Sequence, residues 1–344
     1  MSARSPKNRM NHQYRPSFTL VELLVSIAII GVMAGMVLYT LAGAQQDALR
    51  NKSKVTLEKI NAVILERWEG YRYRSVKLPV PPEALQNKWI TPRQVATLRS
   101  LFLKDMIRME MPDSYWDLAY TPTNRNLPLT NGPMTFNSSP AREYNVLRNY
   151  FGMGQVLETH PTATQLPTSK PSPSWSDRYA SAECLYAIVA HSTSGGGSAL
   201  ESFGPSEIAD VDGDGFPEFI DAWGEPISWI RWPAGYGSEL NLGYMATSPD
   251  AFDPLRTSQE WSENDPLFQK PWTVVPLIVS AGPDRQLGIE LNGLGVTHIP
   301  FATARNIFIP RTFSPTSRDL PTVGIISAPA QAYDNLSNHD LLLE

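Results

Sequence analysis

One short acidic segment, residues 210–221, holds the densest group of side chains that could bind a ligand. Five acids and a glycine at the sixth position follow the pattern of twelve-residue calcium loops, in which carboxylates on a tight turn converge on one point. The predicted ligands are the carboxylates of Asp210, Asp212, Asp214, Glu218 and Asp221 and the backbone carbonyl of Phe216. The alternative is a solvated acidic turn that leads into a strand, because the flanking helices of an EF-hand are not evident.

Calcium at this segment would have a structural role, because crowded carboxylates repel one another and a divalent cation removes that repulsion. Catalytic motifs are absent from the sequence: there is no HExxH, GxSxG, CxxC or P-loop pattern, and the five histidines show no ligand spacing. We therefore predict a protein that is not an enzyme, and we assign no catalytic residue.

A further carboxylate, Glu22, is the single charge in the apolar run from Phe18 to Leu41. As a helix with a rise of ~1.5 Å per residue, this run would be about 36 Å long and would cross a hydrocarbon core of ~30 Å. An ordinary signal peptide has a shorter apolar region that is followed by its cleavage site. A carboxylate within a membrane span is costly and is usually functional, so Glu22 is a candidate functional residue.

The start of this run resembles the N-terminal motif of type IV pilins and of the pseudopilins of type II secretion systems. A basic leader that ends in Arg15-Pro16-Ser17 is followed by Phe18-Thr19-Leu20-Val21-Glu22-Leu23. The resemblance implies that a prepilin peptidase cuts between Ser17 and Phe18 and that Phe18 is then methylated. It also implies that Glu22 pairs with the terminal amine of a neighbouring subunit. The residue before the cut is normally Gly in the family, and Ser17 departs from that pattern.

The resemblance implies a structural role, as a subunit of a type II secretion or type IV pilus-like filament. The subunit would assemble with other pseudopilins on an inner-membrane platform after cleavage by prepilin peptidase. Residues 1–17 carry Arg4, Lys7, Arg9 and Arg15 and no acid, so the leader should stay in the cytoplasm. The chain would then cross the inner membrane once and hold its body in the periplasm.

The body of the chain allows a second interpretation, a minor or surface pilin that acts as a calcium-dependent adhesion or substrate-binding module. The large insertion at 75–205 favours this alternative. Nucleic acid is not an expected partner, because the net charge is −5 and four of the cations lie in the leader, which leaves an acidic body. The single cysteine, Cys184, permits no internal disulfide and is expected to be buried and inert.

The elements that must position these residues predict an α+β fold. A long N-terminal helix, membrane-spanning in its first half, is expected to pack on a small antiparallel sheet, with a largely helical insertion between them. The predicted segments are the leader (1–17), the transmembrane and assembly helix (18–41), its continuation (42–74), the helical and loop-rich insertion (75–205) and a β-rich, pseudopilin-like C-terminal region (206–344).

Helices in this scheme are indicated by apolar residues at helical spacing. The continuation of the first helix should bury Val55, Ile60, Val63, Ile64 and Trp68. Thr91 and Pro92 have the types expected at a helix start, and Val95, Leu98, Leu101, Phe102, Met106 and Met109 form the apolar face that follows. Further helices are predicted near 139–151 and over 177–191, the latter burying Ala180, Cys184, Ile188 and Val189.

Strands are predicted at 226–232, 273–280 and 306–310, which are rich in Ile, Val and Trp. Two segments beside them are similar to the major pseudopilin of type II secretion: Asp221–Ile227 before one strand and Ser280–Asp284 after another. Members of that family have a final calcium-binding loop with a cluster of acids. Residues 286–295 do not match this loop, since they contain a single acid, Glu290. The polar segment 334–340 is suited to turns and helix caps.

Overall fold

The computed structural model describes residues 19–114, 117–118, 124–129, 132–137, 139, 142–153, 178–233, 236–241, 252, 275–291 and 324–343. Ser17, Phe18 and the rest of the leader, and the strand predicted at 306–310, lie outside the described residues. The chain divides into two compact units, Met1–Ala48 and Leu49–Glu344.

The described residues form helices and short antiparallel strands. The helices are α1 (Leu20–Gly70), α2 (Pro82–Gln86), α3 (Pro92–Glu110), α4 (Arg142–Tyr150), α5 (Ala180–Ala190), α6 (Pro329–Ala332) and α7 (Asn338–Leu341), with 3₁₀ turns at Tyr71–Tyr73, Ala199–Ser202 and Pro205–Glu207. The strands are β1 (Asn124–Leu129), β2 (Gly132–Asn137), β3 (Thr193–Ser194), β4 (Gly197–Ser198), β5 (Ile208–Ala209), β6 (Glu218–Phe219), β7 (Ser228–Ile230), β8 (Leu277–Ser280) and β9 (Leu336–Ser337). The predicted α+β class is confirmed.

The described residues of the first unit are Thr19 and the part of α1 from Leu20 to Ala48, and each of them is exposed. The helix predicted for this segment is present, and it runs without interruption from Leu20 to Gly70. The Pro-rich segment 79–82 lies beyond the end of this helix, and Pro82 opens α2 at its first position.

The second unit is built around the C-terminal part of α1. Leu57, Ile60, Ile64 and Trp68 are buried in one cluster with side chains of β7 and β8, among them Trp229. Fully burying such side chains contributes roughly 1.5–3 kcal/mol each. The predicted packing of the first helix on a sheet is confirmed. Val55 was expected on the buried face and is 48% exposed, because its position on the helix is about 140° away from Ile60.

Within the described ranges, that sheet has three antiparallel strands in the order β7-β8-β9. Trp229 lies opposite Ile278, and Val279 lies opposite Ser337. The third strand therefore comes from the segment predicted as turns and caps. Ser337 also caps α7, since its hydroxyl accepts from the Asp340 N–H (3.3 Å).

Two buried polar residues follow in α7, and both hold the sheet. Asn338 accepts from the Ile278 N–H (2.8 Å) and donates to Asn61 of α1 (2.8 Å). His339 lies beside the Pro276 carbonyl (3.2 Å) and Ser238 Oγ (2.7 Å). A carbonyl only accepts, so the Nε2 atom of His339 donates and its Nδ1 atom accepts from Ser238.

The insertion shares the core of this unit. Thr91 caps α3 as predicted, in a reciprocal capping box with Gln94. The α3 residues Leu103 and Ile107 are buried in the cluster that contains α1, and Leu98, Phe102 and Met109 are also buried. The predicted helices near 139–151 and 177–191 are confirmed as α4 and α5, with Ala180, Cys184, Ile188 and Val189 buried.

Two features of the insertion were not predicted. The first is the hairpin of β1 and β2, with Leu129 opposite Gly132. The second is an ion cluster at the end of β7, where Arg231, whose side chain is 4% exposed, contacts Asp117 (2.6 Å) and Asp113 (3.4 Å). This cluster attaches the segment that follows α3 to the sheet.

Candidate assembly segment and candidate metal centre

Glu22 lies in the first turn of α1 and belongs to a reciprocal cap with Thr19. Its Oε2 atom accepts from the Thr19 N–H (3.0 Å) and from the Thr19 hydroxyl (3.0 Å), and its own N–H donates to Thr19 Oγ1 (3.2 Å). This is the geometry of a capping box, which satisfies N–H groups that a helix start leaves without partners. The sequence pattern pointed to Glu22 as functional, and the structure adds this local role.

The helix surface around Glu22 is apolar on all sides. Leu24, Ile30 and Leu38 are 56%, 64% and 66% exposed in the isolated chain. Among the described residues, α1 is the helix that is long and apolar enough to cross a membrane. Apolar side chains exposed in every direction require lipid or other protein chains around them.

One protein family matches this N-terminal segment. Residues 15–38 fit the family described as the prokaryotic N-terminal methylation motif. The chain carries a prepilin-type N-terminus. With the long apolar helix, this motif is consistent with the type IV pilin-like family. No curated protein and no solved structure gives a significant match to the chain.

The methylation motif has direct consequences for the chain. It implies processing by a prepilin peptidase and assembly into pilus-like filaments. It indicates a structural subunit rather than an enzyme. The apolar helix near the N-terminus fits a membrane anchor.

The acidic segment forms the connection of the β5–β6 hairpin, where Ala209 lies opposite Glu218. Asp210 Oδ1 accepts from the Gly213 N–H (2.8 Å), and its Oδ2 accepts from the Gly215 N–H (3.0 Å). Gly213 and Gly215 have φ values of 76° and 99°, a left-handed conformation that glycine adopts without strain. This turn brings carboxylate oxygens of Asp210, Asp212 and Asp214 within 4.8 Å of one another, as the pattern predicted.

A second group of acids shares Asp212 with the first. Carboxylate oxygens of Asp212, Glu218 and Glu183 also lie within 4.8 Å of one another. Glu183 comes from the first turn of α5, and both Glu183 and Glu218 are 0% exposed. The structure therefore places a buried carboxylate from a distant helix against the loop, which the sequence pattern did not predict.

Burial and mutual repulsion dominate the electrostatics of this cluster. Burial, reinforced by the charges of Asp214, Glu218, Asp212 and Asp210, raises the pKa of Glu183 to about 10. Burial and the nearby aspartates raise the pKa of Glu218 to about 7, although a hydrogen bond from the Val211 N–H opposes the shift. Carboxylates this close cannot all stay ionised unless a cation compensates them.

The two remaining predicted ligands have other roles in the structure. Asp221 is buried with both of its oxygens engaged: Oδ1 accepts from the N–H groups of Trp223 and Glu225 (both 2.9 Å), and Oδ2 accepts from Ser280 Oγ (2.7 Å). It thus shapes the turn that precedes β7 and does not join the acid groups around Asp212. Phe216 packs its ring on Phe151 (5.2 Å between centroids), and the role of its carbonyl stays a prediction.

Proposed function

We propose that the protein is a membrane-anchored subunit of a type II secretion or type IV pilus-like filament. The match of residues 15–38 to the methylation motif carries this proposal. In it, peptidase cleavage between Ser17 and Phe18 exposes the amine of Phe18, which is then methylated. Residues 18–41 anchor the chain in the inner membrane, and the body from Leu49 onward lies in the periplasm.

Assembly in this proposal moves the apolar half of α1 from lipid to a bundle of identical helices. Glu22 would neutralise the amine of Phe18 in an adjacent subunit, and this attraction is strong in a medium of low dielectric constant. The capping box occupies Oε2 of Glu22. The carboxylate can therefore keep its cap through Oε2 and offer Oε1 to the neighbouring amine.

A type II secretion role draws support from the two segments that are similar to the major pseudopilin. Asp221–Ile227 leads into β7, and β8 ends at Ser280. The hydroxyl of Ser280 donates to Asp221 Oδ2 (2.7 Å), so the start of one segment is bonded to the start of the other. The turn is also attached to α1, because the Ala222 N–H donates to Ser53 Oγ (2.9 Å).

Substitutions at Glu22 test the assembly role, since the capping box allows the charge to be separated from the cap. Glu22→Gln keeps a side-chain acceptor for the Thr19 N–H but removes the charge, whereas Glu22→Ala removes both. Both variants should insert in the membrane with a mature N-terminus at methylated Phe18, measured by intact mass. Neither should form filaments. Normal filaments from Glu22→Gln would refute the charge pairing, and an unprocessed chain in the wild type would refute the proposed class.

A second candidate is a minor or surface subunit that binds a substrate or a surface through its body. The compact unit Leu49–Glu344 supports it, because the insertion adds α3, α4 and the β1–β2 hairpin to this unit. Copy number in purified filaments separates the two candidates, since a major subunit should dominate the preparation.

A further inference from the structure

Glu218 brings to the acidic cluster a buried oxygen atom that has no partner in the part of the chain that the structure describes. Glu218 is 0% exposed, and its Oε2 atom accepts from the Val211 N–H (3.0 Å). Its Oε1 atom is buried and has no hydrogen-bond partner among the residues that the structure describes. A carboxylate oxygen of Glu218 lies within 4.8 Å of oxygens of Asp212 and Glu183. Buried polar atoms are nearly always satisfied, so an atom in this position calls for a ligand.

We propose that Glu183 of α5 completes a calcium site with the hairpin acids Asp210, Asp212, Asp214 and Glu218. Asp212 belongs to both acid groups, so one ion beside it can reach ligands from the loop and from the helix. Glu183 takes the place that the sequence pattern gave to Asp221. This site is independent of the filament role, because every ligand lies in the compact unit that follows Ala48.

The donor set favours calcium over other divalent cations. All five side chains offer carboxylate oxygens, whereas zinc sites are built mainly from Cys and His. Calcium accepts six to eight oxygens at variable geometry, and magnesium demands a compact octahedron and keeps several waters. A turn with two left-handed glycines and a buried glutamate on a separate helix matches the irregular calcium geometry better.

The proposed ion would connect elements that are far apart in sequence. Glu183 belongs to α5, and the aspartates belong to the β5–β6 hairpin. The hairpin is also held by ring contacts, because Phe216 packs on Phe151 (5.2 Å between centroids) and Tyr150 (5.9 Å). Calcium would thus fasten the hairpin to α5 and remove the repulsion among the crowded acids.

Calcium titration of the full-length protein in detergent micelles tests this site. After chelation, calorimetry with calcium chloride should show one ion per chain with a Kd below about 1 mM, the weak limit for extracellular calcium modules. At 100 times the Kd, calcium should raise the melting temperature by about 5–10 °C. Magnesium chloride at the same ionic strength should bind at least tenfold more weakly.

Variants identify the ligands. Glu183→Gln should weaken calcium binding at least tenfold, yet melt no lower than the wild type in chelator, because it removes one of the crowded acids. Glu201→Gln is the matched control, since Glu201 is exposed outside the cluster, and it should bind calcium like the wild type. Asp212→Asn should also weaken calcium binding. Because Asp212 is exposed, this variant provides the test of the site if Glu183→Gln does not fold.

Three results would overturn the proposal. Absence of binding at about 5 mM calcium, beyond the weak limit above, would leave only a solvated acidic turn. Equal affinity of Glu183→Gln and Glu201→Gln would remove Glu183 from the site. Equal affinity for magnesium and calcium would reject the choice of calcium.

Discussion

Replacing Asn338 with alanine should destabilise the protein by about 3–4 kcal/mol, because this buried side chain makes three hydrogen bonds. Its Oδ1 accepts from the Ile278 N–H (2.8 Å). Its Nδ2 donates to Asn61 Oδ1 (2.8 Å) and to the Pro276 carbonyl (3.0 Å). Each such bond contributes about 1 kcal/mol net, and buried partners that lose a bond without gaining water cost more.

Thermal unfolding of the full-length protein in detergent micelles, followed by tryptophan fluorescence, measures this loss. A large domain shifts its melting temperature by about 2–4 °C per kcal/mol, which predicts a decrease of about 6–16 °C for Asn338→Ala. Asn51→Ala is the matched control, because Asn51 is exposed on α1 and its loss should change stability by less than about 0.5 kcal/mol. Asn338→Asp keeps the acceptor but loses both donors, so it should destabilise at least as much as alanine.

The refuting result is simple to recognise. If Asn338→Ala and Asn51→Ala melt within about 2 °C of each other, residue 338 does not link α1 to the sheet. A urea titration provides a check on the unfolded state, since the midpoint should fall while the slope stays constant. Calcium is held at one concentration throughout, so that the acidic cluster contributes equally to every variant.

Two further predictions concern other buried groups. Burial lowers the pKa of His339, while the charge of Asp340 acts in the opposite direction. The stability that the neutral His339 ring contributes should therefore be fully present above about pH 6.5 and be lost as the pH falls below it. Between about pH 8 and pH 5.5, the melting temperature of His339→Gln should fall less than that of the wild type. Equal decreases in the two proteins would contradict this. Arg231→Met should lower the free energy of unfolding in urea by about 3 kcal/mol, because it leaves the carboxylate of Asp117 without its cation. Arg72→Met, which removes an exposed pair, should cost less than about 1 kcal/mol, and equal effects of the two substitutions would refute the buried role.

The features that could be predicted from the sequence are those with a local cause. The apolar run of α1 and the Thr91-Pro92 start of α3 both depend on neighbouring residues and formed as expected. The turn around Asp210 is also local, since its shape comes from Gly213 and Gly215 and from hydrogen bonds within the loop.

The features that could not be predicted depend on contacts between distant segments. Glu183 gives one signal, a lone acid in the otherwise apolar helix ASAECLYAIVA, but the loop that it faces is fixed only in the folded chain. Asp221 fits the twelfth position of the calcium pattern. In the structure, however, its oxygens accept hydrogen bonds from the Trp223 N–H, in the turn before β7, and from the Ser280 hydroxyl. The β1–β2 hairpin had a local signal in Asn131-Gly132, which the prolines on both strands obscured.

The hydrogen bond between Asn61 and Asn338 joins residues 277 positions apart, and Leu336 lies in the same core cluster as Ile60. Contacts over such separations form late, because closing a long loop costs entropy before the contacts stabilise it. The core around α1 therefore cannot be completed until residues 336–341 have been synthesised. A chain that stops upstream of them would leave Leu57–Trp68 partly uncovered, and such a chain should be degraded before it can enter a filament.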